Sequence, residues 1–172
     1  MVVAFTGRRS PALGDESVVR ERLHAYLTRS GPTAVVGAAA CGADLLVLEE
    51  ALRLGIDPEV VLPTPLARFR AESVEPGWHD RFDTVIATTG HTEATPAAAG
   101  EDPFMAGNEA ILRAALAADQ DVVALIVAAP GESEYTEGFA RSADALGVPV
   151  TRLDELGLRL EAPKSTLPGA QA

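Results

Sequence analysis

The chain has 172 residues, 47% of them hydrophobic and 23% charged, which fits one globular domain of ordinary size and excludes a disordered chain. The formal net charge of −11 argues against a large nucleic-acid footprint, because phosphate backbones select basic faces, and we therefore expect no extended nucleic acid among the partners. The single cysteine, Cys41, excludes an intrachain disulfide, and no apolar run reaches the roughly 18 residues that span a bilayer, so we expect no membrane partner.

The first half of the chain alternates short apolar runs with longer amphipathic stretches, a pattern typical of a parallel sheet covered by helices. The segment from Val2 to Thr6 predicts a buried first strand, and because residues 1–7 have no basic region and no cleavage pattern, we expect a cytoplasmic protein. Further strands are predicted at 33–36 and 59–62, and helices at 16–28 and 42–54, the second of which ends at Gly55.

The second half continues this alternation after a long connection between residues 62 and 82. The remaining strands are predicted at 84–87, 121–128 and 148–153, and the remaining helices at 103–117 and 137–146. The predicted fold class is therefore α/β, with a single Rossmann-like, doubly wound, mainly parallel sheet and helices on both faces, over residues 1–158. Residues 159–172 lack periodicity and are predicted to form a disordered tail.

The first predicted strand ends in Gly7-Arg8-Arg9. In open α/β sheets, ligands lie outside the carboxyl ends of the strands, near the point where the strand order reverses. Gly7 lets a ligand approach the backbone, and Arg8 or Arg9 can supply a charge-assisted hydrogen bond to a phosphate. A turn with two solvated arginines explains the same residues, and both interpretations stay open.

The connection between the second strand and the second helix carries almost no side-chain bulk. Small residues there leave backbone amides open to an anion, and the helix dipole favours negative charge. We therefore favour phosphate binding over a tight packing turn, with the contacts assigned to Gly37, Ala38, Ala39, Gly42 and Asp44. The segment is neither a GxGxxG motif nor a P-loop, so it favours neither a dehydrogenase nor an NTPase, and no cofactor is expected.

Two later segments carry further candidates. The long connection contains Phe69, Trp78 and Phe82, whose rings could cover a base or pack the connection onto the sheet; for Trp78 and Phe82 we favour packing. Thr136 is predicted to be the N-cap of the helix that follows it. A ligand phosphate could bind the N-terminus of the same helix instead. The three histidines are scattered, away from the spacing of metal ligands, so no metal site is predicted.

Taken together, these segments resemble the SLOG superfamily, which comprises Rossmann-like domains related to the LOG phosphoribohydrolases and the DprA domain. The resemblance covers residues 3–153 and rests on 5–8, the small-residue run 37–46 with Glu49, 60–63, 69–74, Trp78 with 81–83, and Asn108. It implies the binding of a nucleotide-derived small molecule, often within bacterial signalling or defence systems. On this resemblance we place a phosphate at Arg8 and the small-residue loop, a ribose or second phosphate at Thr136 and Asn108, and the base beside Pro63, Phe69 and Ser73.

One signature of the LOG enzymes is altered here. Their Pro-Gly-Gly-x-Gly-Thr-x-x-Glu motif corresponds to residues 130–139, in which acidic residues largely replace the glycines and Phe139 stands where the catalytic glutamate is expected. We therefore favour a binding module, whose output would pass through a homo-oligomer or a separate effector protein. The alternative is an N-glycosidic hydrolase with Glu72, Asp44 and Glu137 as candidate catalytic carboxylates. A third interpretation is an interaction protein with a vestigial cleft.

Overall fold

The computed structural model describes residues 1–10, 12–128 and 133–153. The predicted tail at 159–172 and the first three residues of the altered motif, 130–132, lie outside the described residues. No helix within the described part of the chain is long and apolar enough to cross a membrane.

Within the described residues, six parallel strands form one sheet in the order β4-β3-β2-β1-β5-β6, which confirms the predicted α/β class. The strands are β1 (Val2–Gly7), β2 (Ala34–Gly37), β3 (Asp57–Leu62), β4 (Thr92–Glu93), β5 (Val122–Val127) and β6 (Val150–Arg152). Along β1 and β5, alternate residues face opposite sides of the sheet, and nearly all of them are buried. Burial on both faces explains why these strands read as continuous apolar runs.

Helices cover both faces of the sheet, as predicted. They are α1 (Glu16–Ser30), α2 (Ala43–Leu54), α3 (Leu66–Ser73), α4 (His79–Thr89), α5 (Pro103–Ala118) and α6 (Glu134–Ala145), with a short 3₁₀ turn at Pro76–Trp78. The first four helices pack on one face, around Phe5 and Leu125, and the last two pack on the other, around Ala4 and Ile126. Five of the described helices, α1, α2, α3, α5 and α6, each follow a strand in the chain. They therefore begin on the side of the sheet where the strands end.

Three sequence predictions are wrong about secondary structure. The segment 84–87 belongs to helix α4 and not to a strand, because Phe82 and Val85 bury one helical face at a spacing of three residues. The connection between 62 and 82 is mostly helical, since it contains α3 and the start of α4. The last long helix begins at Glu134 with Ser133 in the N-cap position, so Thr136 lies inside the helix and is not its cap.

A partly buried ionic network joins three helices on the first face. Arg81 Nε and Nη2 on α4 donate to the two carboxylate oxygens of Glu49 on α2, at 2.7 and 2.6 Å, and Arg20 on α1 donates to Glu49 at 2.9 Å. The guanidinium carbon of Arg81 also lies 4.1 Å from the ring centroid of Trp78. Burial alone would raise the pKa of Glu49, but the bonds from Arg81 and Arg20 lower it. The network therefore holds α4, and with it the end of the predicted long connection, against α2.

Candidate ligand-binding cleft

A cleft lies where the strand order reverses. The chain runs outward from β1 through β2, β3 and β4, and then returns to β5 on the other side of β1. The carboxyl ends of β1 and β5 pair through Gly7 and Val127, and a cavity of about 520 Å³ opens beside Gly7 and Arg8. This is the position at which open α/β sheets bind their ligands.

The cleft brings together ten of the residues predicted from the sequence: Gly7, Arg8, Arg9, Ala38, Asp44, Pro63, Phe69, Glu72, Ser73 and Asn108. Five other predicted residues are not among those that line it: Gly37, Ala39, Gly42, Thr136 and Glu137. The structure therefore gathers most of the predicted set around one space, while contact between these residues and a ligand stays a prediction.

Several backbone amides of the small-residue loop and the start of α2 already have acceptors within the protein. The N–H of Ala40 donates to the Asp44 carboxylate at 3.2 Å, and the N–H of Cys41 donates to the Ser73 carbonyl at 3.1 Å. The N–H of Ala43 donates to the Arg8 carbonyl at 3.0 Å. Protein acceptors hold these three amides, so the anion contacts assigned to Gly37, Ala38, Ala39 and Gly42 would have to use other amides of the loop and stay predictions.

The two glycines of this loop have packing roles. A Cβ at Gly37 would come within 2.4 Å of the Phe5 ring, so the absence of a side chain lets β2 lie over that ring. Gly42 has a φ of 104°, and a Cβ there would come within 2.6 Å of the Arg8 carbonyl. This close approach forms the bridge between Arg9 and Gly42 that ties the end of β1 to the start of α2.

Asp44 is a buried carboxyl on the floor of the cleft. Its Oδ2 accepts the Ala40 N–H, whereas its Oδ1 has no hydrogen-bond partner among the described residues. Burial raises the pKa of Asp44 from its ordinary value of 3.8 to about 7, although the Ala40 N–H and the positive charge of Arg9 oppose the rise. A carboxyl that titrates near neutral pH in a cleft is suited to proton transfer or to binding a hydrogen-bond donor.

Ser73 is a second buried polar residue in the cleft. Its side-chain hydroxyl has no hydrogen-bond partner within the described ranges, although its backbone carbonyl accepts the Cys41 N–H. Phe69, one turn earlier on α3, also lines the cleft and stacks on Phe82 with ring centroids 6.2 Å apart. Helix α3 thus places one polar and one aromatic side chain against the same space.

The opposite wall of the cleft comes from α5 and α6, and two of its residues, Phe104 and Tyr135, were not predicted from the sequence. Phe104 and Tyr135 line the cleft and meet edge to face, with ring centroids 5.9 Å apart. Asn108 is buried and donates from Nδ2 to the Tyr135 carbonyl at 3.0 Å, which fixes the first turn of α6 against α5. Phe104 could have been predicted from the sequence. Asp102-Pro103 is a strong helix start, and a helix that follows a strand begins at the carboxyl edge of the sheet, which places Phe104 in its first turn near the cleft.

The three candidate catalytic carboxylates differ in their positions. Asp44 is buried in the cleft, as described. Glu72 lines the cleft but is exposed, and its Oε1 accepts a hydrogen bond from Arg68 at 3.0 Å. Glu137 accepts two hydrogen bonds from Arg152, at 3.0 and 3.1 Å, and is not among the lining residues. Asp44 is thus the one of the three that combines burial with a place in the cleft.

Solved structures share this architecture. DNA processing protein A (DprA) from Helicobacter pylori superposes with a TM-score of 0.59 at 22% sequence identity, over 95% of this chain and 68% of the other. TM1055, a structural-genomics target, superposes with a TM-score of 0.55 at 22% identity, over 87% of this chain and 71% of the other. The chain shares the Rossmann-like fold of these two proteins. The fold that the resemblance to the SLOG superfamily implies is therefore confirmed. No protein-family model and no curated protein matches the sequence.

The DprA comparison corrects one prediction about partners. We expected no extended nucleic acid because the net charge is −11, yet the H. pylori protein of this fold binds single-stranded DNA. The exclusion is wrong, because nucleic-acid binding depends on local groups at one surface and not only on the charge of the whole chain. Among the described residues, no group of three or more His, Cys, Asp or Glu side chains is arranged to hold a metal ion.

Proposed function

We propose that this protein binds a nucleotide-derived small molecule in the cleft between β1 and β5, as a ligand sensor that needs no catalytic step. The observation that carries this proposal is a cavity of about 520 Å³, large enough for a nucleotide, at the reversal of strand order. The arginines at the end of β1 supply positive charge, and Phe69, Phe104 and Tyr135 supply apolar and aromatic walls.

The contacts inside the cleft suggest how the ligand lies. A phosphate is best placed near Arg8 and Arg9, since the α2 end of the cleft holds the Asp44 carboxyl and engaged amides. The base is best placed between α3 and α5, beside Phe69 and Phe104. We assign no ribose contact to Thr136, because it is almost fully buried and its hydroxyl donates to the Ser133 carbonyl at 2.9 Å.

A sensor of this kind would act by population shift. The ligand would bridge the helices on the two sides of the cleft, and the bound form would then be recognised by a second copy of the chain or by a separate effector protein. A role in a bacterial signalling or defence system follows only from the resemblance, and we retain it as part of the proposal.

Thermal unfolding with a panel of ligands tests this proposal. The panel contains adenine and guanine nucleotides, NAD, ADP-ribose, cyclic nucleotides and a single-stranded oligothymidylate. A ligand at 100 times its Kd adds about 2.7 kcal/mol of stability, which raises the melting temperature by roughly 5–11 °C for a domain of this size. The shift should shrink in Arg8→Ala and persist in Arg113→Ala, whose side chain pairs with Glu109 on the exposed face of α5. No shift with any small molecule would refute the proposal.

The hydrolase is a second candidate function, and Asp44 favours it. A buried carboxyl with a pKa of about 7 can give or take a proton at an N-glycosidic bond near neutral pH. Chromatography of each nucleotide after incubation with the protein would reveal free base. Product that disappears in Asp44→Asn would establish the enzyme, whereas intact nucleotide together with a thermal shift would leave the sensor.

A further inference from the structure

Two polar atoms on the floor of the cleft lack the partners that buried polar groups usually have. Asp44 is 7% exposed and Ser73 is 2% exposed, and both line the cavity. The Oδ1 atom of Asp44 and the Oγ atom of Ser73 make no hydrogen bond within the described part of the chain. More than nine in ten buried polar groups in proteins are paired, so each of these atoms calls for an explanation.

The fold alone does not explain them. The local structural contacts use other atoms of the same residues, namely Asp44 Oδ2, which accepts the Ala40 N–H, and the Ser73 carbonyl, which accepts the Cys41 N–H. The unpartnered atoms could be removed without breaking either bond. Both residues line the cavity, so a bound molecule would lie beside them.

We propose that Asp44 Oδ1 and Ser73 Oγ form a floor subsite that accepts hydrogen bonds from hydroxyl or amino groups of the bound ligand. The subsite thus takes an uncharged, donor-bearing part of a nucleotide, either the sugar hydroxyls or the amino group of the base, and excludes its phosphate. This inference rests on the proposed function and adds to it the orientation of the ligand.

The charges around the floor support this orientation. An ionised Asp44 repels a phosphate, and Glu72 and Glu134 add two further carboxylates to the lining. The positive charges in the lining are Arg8 and Arg9, at the end of β1. A nucleotide would therefore direct its phosphate towards the arginines and its hydrogen-bond donors towards Asp44 and Ser73.

Binding of adenosine tests the subsite without a phosphate. Asp44→Asn keeps an acceptor for the Ala40 N–H and replaces the unpartnered oxygen with an NH₂ donor. Ser73→Ala removes the unpartnered hydroxyl and keeps the carbonyl that holds Cys41. Thr64→Val is the matched control, because Thr64 also has a buried hydroxyl without a partner among the described residues but does not line the cleft.

We expect calorimetry to show that adenosine binds the wild-type protein and that Asp44→Asn weakens it at least about tenfold, with a several-fold loss in Ser73→Ala. The control Thr64→Val should bind as the wild type does. 2′,3′-Dideoxyadenosine, which lacks the 2′ and 3′ hydroxyls of the ribose, will bind weakly if that edge of the sugar contacts the floor. Purine riboside, which lacks the exocyclic amino group, will bind weakly if the base does.

Two results would overturn the inference. One is the failure of adenosine to bind the wild-type protein, and the other is equal binding by the wild type and Asp44→Asn. The nucleotide panel then decides separately about the cleft. If nucleotides bind the wild type and Asp44→Asn alike but bind Arg8→Ala weakly, the cleft is the binding site and the floor subsite alone is refuted. If no nucleotide binds either protein, the proposed function fails as well.

Discussion

Replacing Asp44 by asparagine should stabilise the ligand-free protein, by an amount that depends on pH. Because burial raises the pKa of Asp44 to about 7, the folded protein retains a proton at pH values where the unfolded chain has released it. The contribution of this group to stability is therefore fully present below about pH 4 and is lost as the pH rises to about 7. Asparagine never ionises, so the variant escapes this loss.

The magnitude follows from the pKa of Asp44. A rise from 3.8 to about 7 corresponds to about 4 kcal/mol at about 1.4 kcal/mol for each pH unit. Water entry and relaxation around a buried carboxylate reduce this value, so we expect the variant to gain about 2–4 kcal/mol above pH 7. At about 3 °C for each kcal/mol, the melting temperature should rise by roughly 6–12 °C at pH 8 and hardly at all at pH 4.

The assay is thermal unfolding of the wild type and Asp44→Asn from pH 4 to pH 8, followed by circular dichroism. Asp83→Asn is the control, because the pKa of Asp83 is shifted in the opposite direction: the hydrogen bond from Arg70 at 2.8 Å lowers it. Asp83 is also exposed, so its replacement should not stabilise the protein. Melting curves for the wild type and Asp44→Asn that stay parallel across the whole pH range would refute the reasoning.

Two further predictions concern the packing of the helices on the sheet. Both are tested by measuring the free energy of unfolding in urea. Gly7→Ala should cost about 1–3 kcal/mol, because the new Cβ would come within 2.4 Å of a Cβ on α2, whereas Gly77→Ala meets nothing within 4 Å and should stay within about 0.5 kcal/mol of the wild type. Arg81→Ala should cost about 1–3 kcal/mol through its paired bonds to Glu49 and its contact with an aromatic ring, while Arg113→Ala, which breaks an exposed pair, should cost at most about 0.5 kcal/mol. If the two variants of either pair lost the same free energy of unfolding, the structural role assigned to Gly7 or to Arg81 would be contradicted.

The sheet was readable from the sequence because its central strands are buried on both faces. Strands β1, β2 and β5 contain little but apolar residues, and the second half of β3 is a buried apolar run that ends at a proline. Strand β4 was missed because its two residues, Thr92 and Glu93, are exposed and have no apolar pattern. The adjacent Val85 and Ile86 suggested a strand instead, although their spacing from Phe82 fits a helix.

The site was readable only where one rule of topology applies. The end of β1 predicted Gly7 and Arg8, because ligands bind where the strand order reverses. Small residues predict open amides only if no other part of the fold takes them, and here Asp44 and Ser73 hold the amides of Ala40 and Cys41. The anion contacts assigned to the neighbouring residues of this loop stay predictions. The aromatic wall was missed because the meeting of Phe104 with Tyr135 depends on the packing of α5 against α6.

Asp44 links stability to binding, and a single variant separates the two roles that it could have. If its carboxyl served only to cap the Ala40 N–H, asparagine would keep that bond, and binding of adenosine would be unchanged. If the unpartnered oxygen exists for a ligand, the same substitution should raise the melting temperature of the free protein and weaken adenosine binding. If replacement of Asp44 stabilises the fold and impairs binding, its carboxyl serves function, since stability alone would favour its loss.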